Sequence, residues 1–159
     1  MSTARKPGTL HRLSLAAAMI AVASAPLALA PAASATTTAN GCSVNPLAPT
    51  FAGRNGAGTK IVRYNVVIAC GANRTVEVQQ SVFEDDPVGD PDDFIDTQVV
   101  TRVFTGAAIT TRGFTLAVPD TEAGAEELYQ RARFRVTPAG GLPTVWTAFE
   151  SGPVLPITN

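Results

Sequence analysis

"LYQRARFRVT", residues 128–137, decides the fold class, because apolar and polar side chains alternate along it, except at Gln130. A period of two is typical of a β-strand that has one face in the core and the other in solvent. The apolar side chains are Leu128, Ala132, Phe134 and Val136, and the side chains predicted to point outward are Tyr129, Arg131, Arg133 and Arg135. The stretch therefore predicts a half-buried strand.

The same alternation recurs on the amino-terminal side of this strand and once after it, with turn residues between the repeats. We predict seven strands, near residues 43–52, 60–70, 74–84, 94–104, 112–118, 128–137 and 144–150. After residue 35 no stretch keeps a helical period. Short strands with polar turns between them predict an all-β fold, a seven-stranded antiparallel two-sheet sandwich.

The longer stretch "DTEAGAEELYQRARFRVT", residues 120–137, resembles the penultimate strand of immunoglobulin-like and fibronectin-type-III-like domains. In those domains an acidic, glycine-bearing approach leads to a tyrosine and an alternating strand. The resemblance implies an immunoglobulin-like strand order. Two departures, the lack of a cysteine two residues after Tyr129 and the place of Trp146 in the last predicted strand, favour the fibronectin-like branch and exclude an antibody-type disulfide between the sheets.

The first 35 residues have the pattern of a secretory signal peptide. Basic residues come first, residues 13–29 are apolar and alanine-rich, and Ala33-Ser34-Ala35 forms a small-residue cleavage site. We therefore predict a signal peptide at 1–35, a flexible mature terminus at 36–41, the sandwich at 42–152 and a tail at 153–159. The protein is then secreted, extracellular, and without a membrane span after cleavage.

Cys42 and Cys70 are the two cysteines of the chain. In an exported protein an even pair is expected to form a disulfide. If the first two predicted strands form a hairpin, the start of the first lies beside the end of the second, which brings Cys42 next to Cys70.

The amino-acid composition of the predicted mature chain argues against several classes of function. Residues 36–159 contain nine bases and thirteen acids, a net charge of −4, which argues against nucleic acid as a partner. The sole histidine, His11, lies in the signal peptide, so the mature chain has no imidazole for Ser-His-Asp or Cys-His catalysis or for a zinc site. We predict that the protein is not an enzyme; hydrolysis with Glu84 or Asp86 as acid or base is the catalytic alternative.

An acidic segment, "FEDDPVGDPDDFID" at residues 83–96, has seven acids among fourteen residues. An immunoglobulin-like strand order places it beside the acidic stretch 120–127, where crowded carboxylates could share a hard cation. It fails as an EF-hand, because Ile95 occupies the position of the bidentate glutamate. The predicted calcium ligands are Asp86, Asp90, Asp92, Asp93 and Asp120. The alternative is a solvated turn that binds no cofactor.

The outward side chains of the predicted strand at 128–137 also have two interpretations. Tyr129, Arg131, Arg133 and Arg135 could form a surface for an acidic or carbohydrate partner, since tyrosine and arginine are frequent contact residues. Alternatively, the arginines pair across the sheet with the strand at 74–84, where Glu77 faces outward.

Together these features predict a secreted, non-enzymatic β-sandwich that acts as a monomeric binding or structural module. Its partner would be an extracellular protein or a component of the cell envelope. One alternative is an inhibitor of an extracellular enzyme that presents the loop at 105–111 or the acidic pole, the end of the sandwich where segment 83–96 and stretch 120–127 are predicted to meet. Another is a calcium-binding sandwich.

Overall fold

The computed structural model describes residues 36–86, 91–118 and 126–157, so the predicted signal peptide, Asp90 and Asp120 lie outside the described residues. The described residues contain no helix, and hence none of the length and hydrophobicity that a membrane crossing requires. They form ten strands: β1 (Thr37–Ala39), β2 (Cys42–Pro46), β3 (Thr50–Arg54), β4 (Lys60–Cys70), β5 (Arg74–Glu84), β6 (Asp93–Phe104), β7 (Ala108–Val118), β8 (Glu126–Pro138), β9 (Glu150–Ser151) and β10 (Leu155–Ile157).

The strands form two antiparallel sheets. In sheet A, β4 pairs along its whole length with β7, and its other edge pairs with β2 and β3, followed outward by β1. In sheet B, β5 pairs with β6 on one edge and with β8 on the other, and the far edge of β8 carries β9 and β10. Long strands therefore occupy both the centres of the sheets and two of their edges.

The inner faces of the two sheets supply the core. Cys42 and Cys70 lie opposite each other on β2 and β4 and form the predicted disulfide. One core cluster lies at this end and includes Val44, Val66, Ile68, Val78 and Phe134, and the other, at the opposite end, includes Val62, Tyr64, Val82, Val118 and Leu128. Each cluster contains side chains from both sheets, as face-to-face packing requires. The prediction of an all-β, two-sheet antiparallel sandwich is confirmed.

The first predicted strand is in fact two. Between β2 and β3 the chain leaves the regular ladder at residues 47–49, where Pro49 has no N–H to donate. The N–H of Leu47 still bonds the carbonyl of Asn65, at 3.0 Å, so the break stays attached to β4. The predicted hairpin therefore exists, with an interruption.

The predicted flexible terminus at 36–41 contains a strand, β1, which turns back onto β2. Asn40 and Gly41 form the two-residue turn and have φ angles of 52° and 72°. An Asn-Gly pair is the common choice for such a hairpin turn, because both positions need positive φ. This local signal predicts the hairpin and was missed.

The prediction of a regular last strand at 144–150 is wrong. The N–H groups of Thr144 and Thr147 do bond the carbonyls of Val136 and Phe134, each at 2.9 Å. The return bonds, however, go from the N–H groups of Val136 and Phe134 to the threonine hydroxyls, each at 3.0 Å. Because hydroxyls replace backbone carbonyls, only Glu150–Ser151 is regular strand here, and β10 forms within the predicted tail.

A polar bridge crosses the middle of the core. The side-chain amide of Gln130 on β8 donates to the carbonyls of Leu47 and Asn65 in sheet A, at 2.8 and 2.7 Å. Its oxygen accepts a bond of 2.9 Å from the amide of Gln80 on β5. Both glutamines are buried, so these bonds offset the cost of removing two amides from water. The bridge connects sheet B to the strand break of sheet A.

We expect the substitution Gln130→Leu to lower the free energy of unfolding by about 3 kcal/mol, since the carbonyl of Leu47 and the amide of Gln80 each lose a buried partner. Urea unfolding measures the loss. Gln98→Leu is the control, because it makes the same chemical change at an exposed position of β6 and should cost less than about 0.5 kcal/mol. Equal losses in the two variants would contradict the role of the bridge.

Candidate functional site

The outer face of sheet B brings together side chains from β5 and β8. In the register of these strands Phe83 lies opposite Tyr129, Ser81 opposite Arg131, Gln79 opposite Arg133, and Glu77 opposite Arg135. The three arginines therefore form one row on the outer face, since alternate residues of a strand share a face. This arrangement matches the sequence prediction.

Each arginine of the row has an oxygen partner on a neighbouring strand or loop. Arg135 Nε donates to Glu77 Oε2 at 2.5 Å, and Arg133 Nε donates to Gln79 Oε1 at 2.9 Å. An Arg131 guanidinium N–H bonds Asp92 Oδ2 at 3.2 Å. The hydrogen bond between Arg135 and Glu77 lowers the pKa of the Glu77 carboxyl and raises the pKa of Arg135. Cross-strand pairing, one of the two interpretations, is thus present.

Aromatic rings hold the guanidinium groups from a second direction. The central carbon of the Arg133 guanidinium lies 4.5 Å from the ring centre of Phe149 and 5.2 Å from that of Trp146. Arg135 lies over Trp146 at 4.9 Å, and Arg131 lies over Phe83 at 4.8 Å. We call Arg131, Arg133, Arg135, Trp146 and Phe149 the arginine–aromatic face.

Neither aromatic member of this face was predicted from the sequence. Trp146 and Phe149 are three residues apart, so a regular strand would place them on opposite faces. The irregular path of residues 144–149, which the threonine hydroxyls stabilise, brings both rings to the arginine row.

Tyr129 is on the outer face, as predicted, but its side chain is covered. It is 5% exposed, its ring stacks on Phe83 at 5.4 Å, and its hydroxyl donates a hydrogen bond to the Asp92 carboxylate. Burial raises the pKa of the Tyr129 hydroxyl, and the bond to Asp92 raises it further. Tyr129 therefore supports one end of the face instead of offering a surface to a partner.

At the predicted acidic pole, the described parts of the two acidic segments are adjacent. The N–H of Asp85 bonds the carbonyl of Glu127 at 2.6 Å, so the end of β5 lies beside the start of β8. The Asp86 carboxylate accepts the N–H of Asp93 at 3.1 Å, and the Asp92 carboxylate is shared by Tyr129 and Arg131.

These described acids do not assemble into a metal centre. Within residues 36–86, 91–118 and 126–157, no three His, Cys, Asp or Glu side chains are grouped so that they could hold an ion. Asp90 and Asp120, two of the five predicted ligands, lie outside the described residues. The calcium site therefore stays a prediction.

A buried ion pair lies inside the sandwich at the same end. Lys60 on β4 and Glu126 on β8 are each 1% exposed, and Lys60 Nζ lies 3.9 Å from Glu126 Oε1. No hydrogen bond from the described residues reaches either oxygen of Glu126. The sequence contained a signal for this pair, since Lys60 has the same parity on β4 as the core residues Val62 and Tyr64.

Two alternatives from the sequence gain no support from the geometry. Glu84, a proposed catalytic acid, is buried on the inner side of β5, whereas Asp86 lies in the loop outside the strand. The proposed inhibitory loop at 105–111 is short, because residues 108–111 belong to β7.

No protein-family model matches the chain, and a comparison with curated proteins finds no significant match. The interpretation of function therefore depends on the fold and on the surfaces described above.

Proposed function

We propose that the protein is a secreted, non-enzymatic β-sandwich that binds an extracellular protein or a cell-envelope component through the arginine–aromatic face. The observation that carries the proposal is the arrangement of three guanidinium groups in one row, held by five cation–π contacts among the described residues. Trp and Arg are the residue types most enriched at binding hot spots.

Arg133, in the middle of the row, differs from its two neighbours in the kind of partner it has. Arg131 and Arg135 each form an ion pair with a carboxylate, whereas Arg133 bonds the neutral amide of Gln79. None of the ion pairs of the described residues includes Arg133, so its positive charge is not balanced within the face. A carboxylate of the partner is the group that best complements it.

The contacts also reduce the cost of binding. A free arginine loses conformational entropy when a partner immobilises it, and Arg133 is already held by Gln79, Trp146 and Phe149. Phe149 remains 42% exposed, so a partner can bury apolar area beside the charged group. The face thus offers a preorganised charge next to an apolar ring.

The strand order, the disulfide and the composition support the other parts of the proposal, namely the fold type, the export and the non-enzymatic role. Of the seven predicted strands, the first (β2 with β3), the second (β4) and the fifth (β7) lie in sheet A, and the others lie in sheet B. This distribution supports an immunoglobulin-like arrangement of the fibronectin type. The Cys42–Cys70 disulfide is compatible with an extracellular location and, with the signal-like residues 1–35, supports export. The lack of histidine after residue 35 supports a non-enzymatic role.

The proposal predicts that the purified protein is retained on wall material or a medium protein of the producing culture, and that R133A/F149A reduces this retention at least ten-fold. A loss of about 1.4 kcal/mol of binding free energy, well within the range of hot-spot truncations, gives this factor. Quantitative pull-down measures it.

The control is Arg63→Ala, which removes one exposed arginine from the outer face of sheet A and should leave retention unchanged. Thermal melting of all three proteins separates loss of binding from loss of folding. Equal retention of the wild type and of folded R133A/F149A would overturn the proposal.

A further inference from the structure

Among the described strands, β7 has a long unpaired backbone edge. Its eleven residues pair with β4 without any shift of register, from Ala108 opposite Cys70 to Val118 opposite Lys60. Within the described residues no strand pairs with its other edge. A row of backbone N–H and C=O groups is therefore available to a further strand.

Natural edge strands usually carry features that block such pairing, and β7 has few of them. Its pairing contains no bulge, it contains no proline, and its one charged residue is Arg112. By contrast, the other long edge strand, β6, has Asp93, Asp96 and Arg102 and a shift of register beside Val82. Charges and bulges protect edges from pairing, so β7 is the less protected edge.

The sequence of β7 is complementary to itself. If two copies of β7 pair antiparallel about Gly113, Thr111 lies opposite Thr115 of the second copy, and Arg112 lies opposite Phe114 of the second copy. No like charges meet, and Ile109, which is 75% exposed, meets an alanine. Gly113 carries no side chain at the centre, so the two backbones can approach closely.

We propose that a second copy of this chain pairs with the first through β7, which joins the two A sheets into one continuous sheet. This departs from the monomer that the sequence predicts, and it does not depend on the arginine–aromatic face, which belongs to the other sheet.

Electrostatics favours this antiparallel arrangement. Val118 lies opposite Lys60, whose ion-pair partner Glu126 begins β8 beside Asp85, so the described acids of this pole lie at the carboxyl end of β7 in each copy. In the proposed register Val118 lies opposite Ala108 of the second copy. The two poles are then separated by about the length of an eleven-residue strand, roughly 37 Å, beyond the screening length of about 8 Å at physiological salt.

The register defines a test by analytical ultracentrifugation of the purified protein. The wild type should sediment as a dimer. T111K/T115K places lysine opposite lysine at both symmetric sites and should weaken the dimer at least ten-fold, whereas T111K/T115E places lysine opposite glutamate and should retain it. All of these side chains are exposed in the single copy, so the variants should fold; because residue 115 also lies opposite Arg63 of β4, thermal melting checks the folding of each variant.

V99K/T101K introduces the same two lysines at exposed positions of β6 and serves as the control, with the dimer unchanged. A wild type that remains monomeric at hundreds of micromolar would overturn the proposal. So would a dimer that T111K/T115K leaves intact or that V99K/T101K dissociates. If T111K/T115E also dissociates while folded, the pairing of residues 111 and 115 is refuted.

Discussion

Lys60→Met is expected to lower the free energy of unfolding by about 3–5 kcal/mol. The substitution keeps most of the side-chain volume but leaves the Glu126 carboxylate, 1% exposed, without the cation that lies 3.9 Å from it. Since whole domains are stable by about 5–15 kcal/mol, the loss should be visible as a large shift in urea unfolding. Arg63→Met, which also replaces a cation by methionine but at an exposed position three residues away, should cost less than about 0.5 kcal/mol.

The double variant K60M/E126L separates the cost of the unpaired charge from the contribution of the pair. With both charges replaced by apolar groups, stability should return to within about 1 kcal/mol of the wild type or exceed it, because a buried ion pair contributes little beyond its own desolvation. If K60M and K60M/E126L lose equal stability, burial of the Glu126 charge is not the cause.

Reduction of the Cys42–Cys70 disulfide is expected to lower the free energy of unfolding by about 3.6 kcal/mol. The two cysteines are 28 residues apart, and the figure is the chain entropy that a cross-link removes from an unfolded loop of this length. Both side chains are buried, and reduction leaves both sulfur atoms in the core, so it opens no cavity of the kind that substitution by alanine does.

Urea unfolding with and without a reducing agent measures this effect. C42A/C70A should lose at least as much stability, since it also removes two buried sulfur atoms. The C42A/C70A protein, which has no bond to reduce, shows whether the reducing agent itself alters unfolding. Identical midpoints for the oxidised and reduced wild type would contradict the loop-closure account.

Alternation of apolar and polar residues was sufficient to predict the sandwich and most of its strands. It placed Leu128, Phe134 and Val136 in the core and the arginines outside, because a period of two assigns every residue of a strand to one face. The hairpin between the first two strands then placed Cys42 opposite Cys70. These predictions succeeded where the backbone is regular.

Prediction failed where side chains replace backbone partners. The hydroxyls of Thr144 and Thr147 bond β8 in place of carbonyls, and no periodicity reports this. The rings of Trp146 and Phe149 therefore reach the arginine row along a path that alternation excludes. The extent of the arginine–aromatic face could not be predicted for this reason, although its arginines could.

The glutamine bridge has a consequence for the choice of strand register during folding. A slip of β5 along β8 by two residues keeps every inward side chain inward, so the alternation of Val76, Val78 and Val82 cannot distinguish the slipped pairing from the native one. The slip that moves Gln80 from opposite Ala132 to opposite Phe134 would, however, separate it from Gln130 and leave the Gln80 amide among apolar neighbours without this partner. The two glutamines thus allow the chain to discriminate between pairings that its hydrophobic pattern treats as equal.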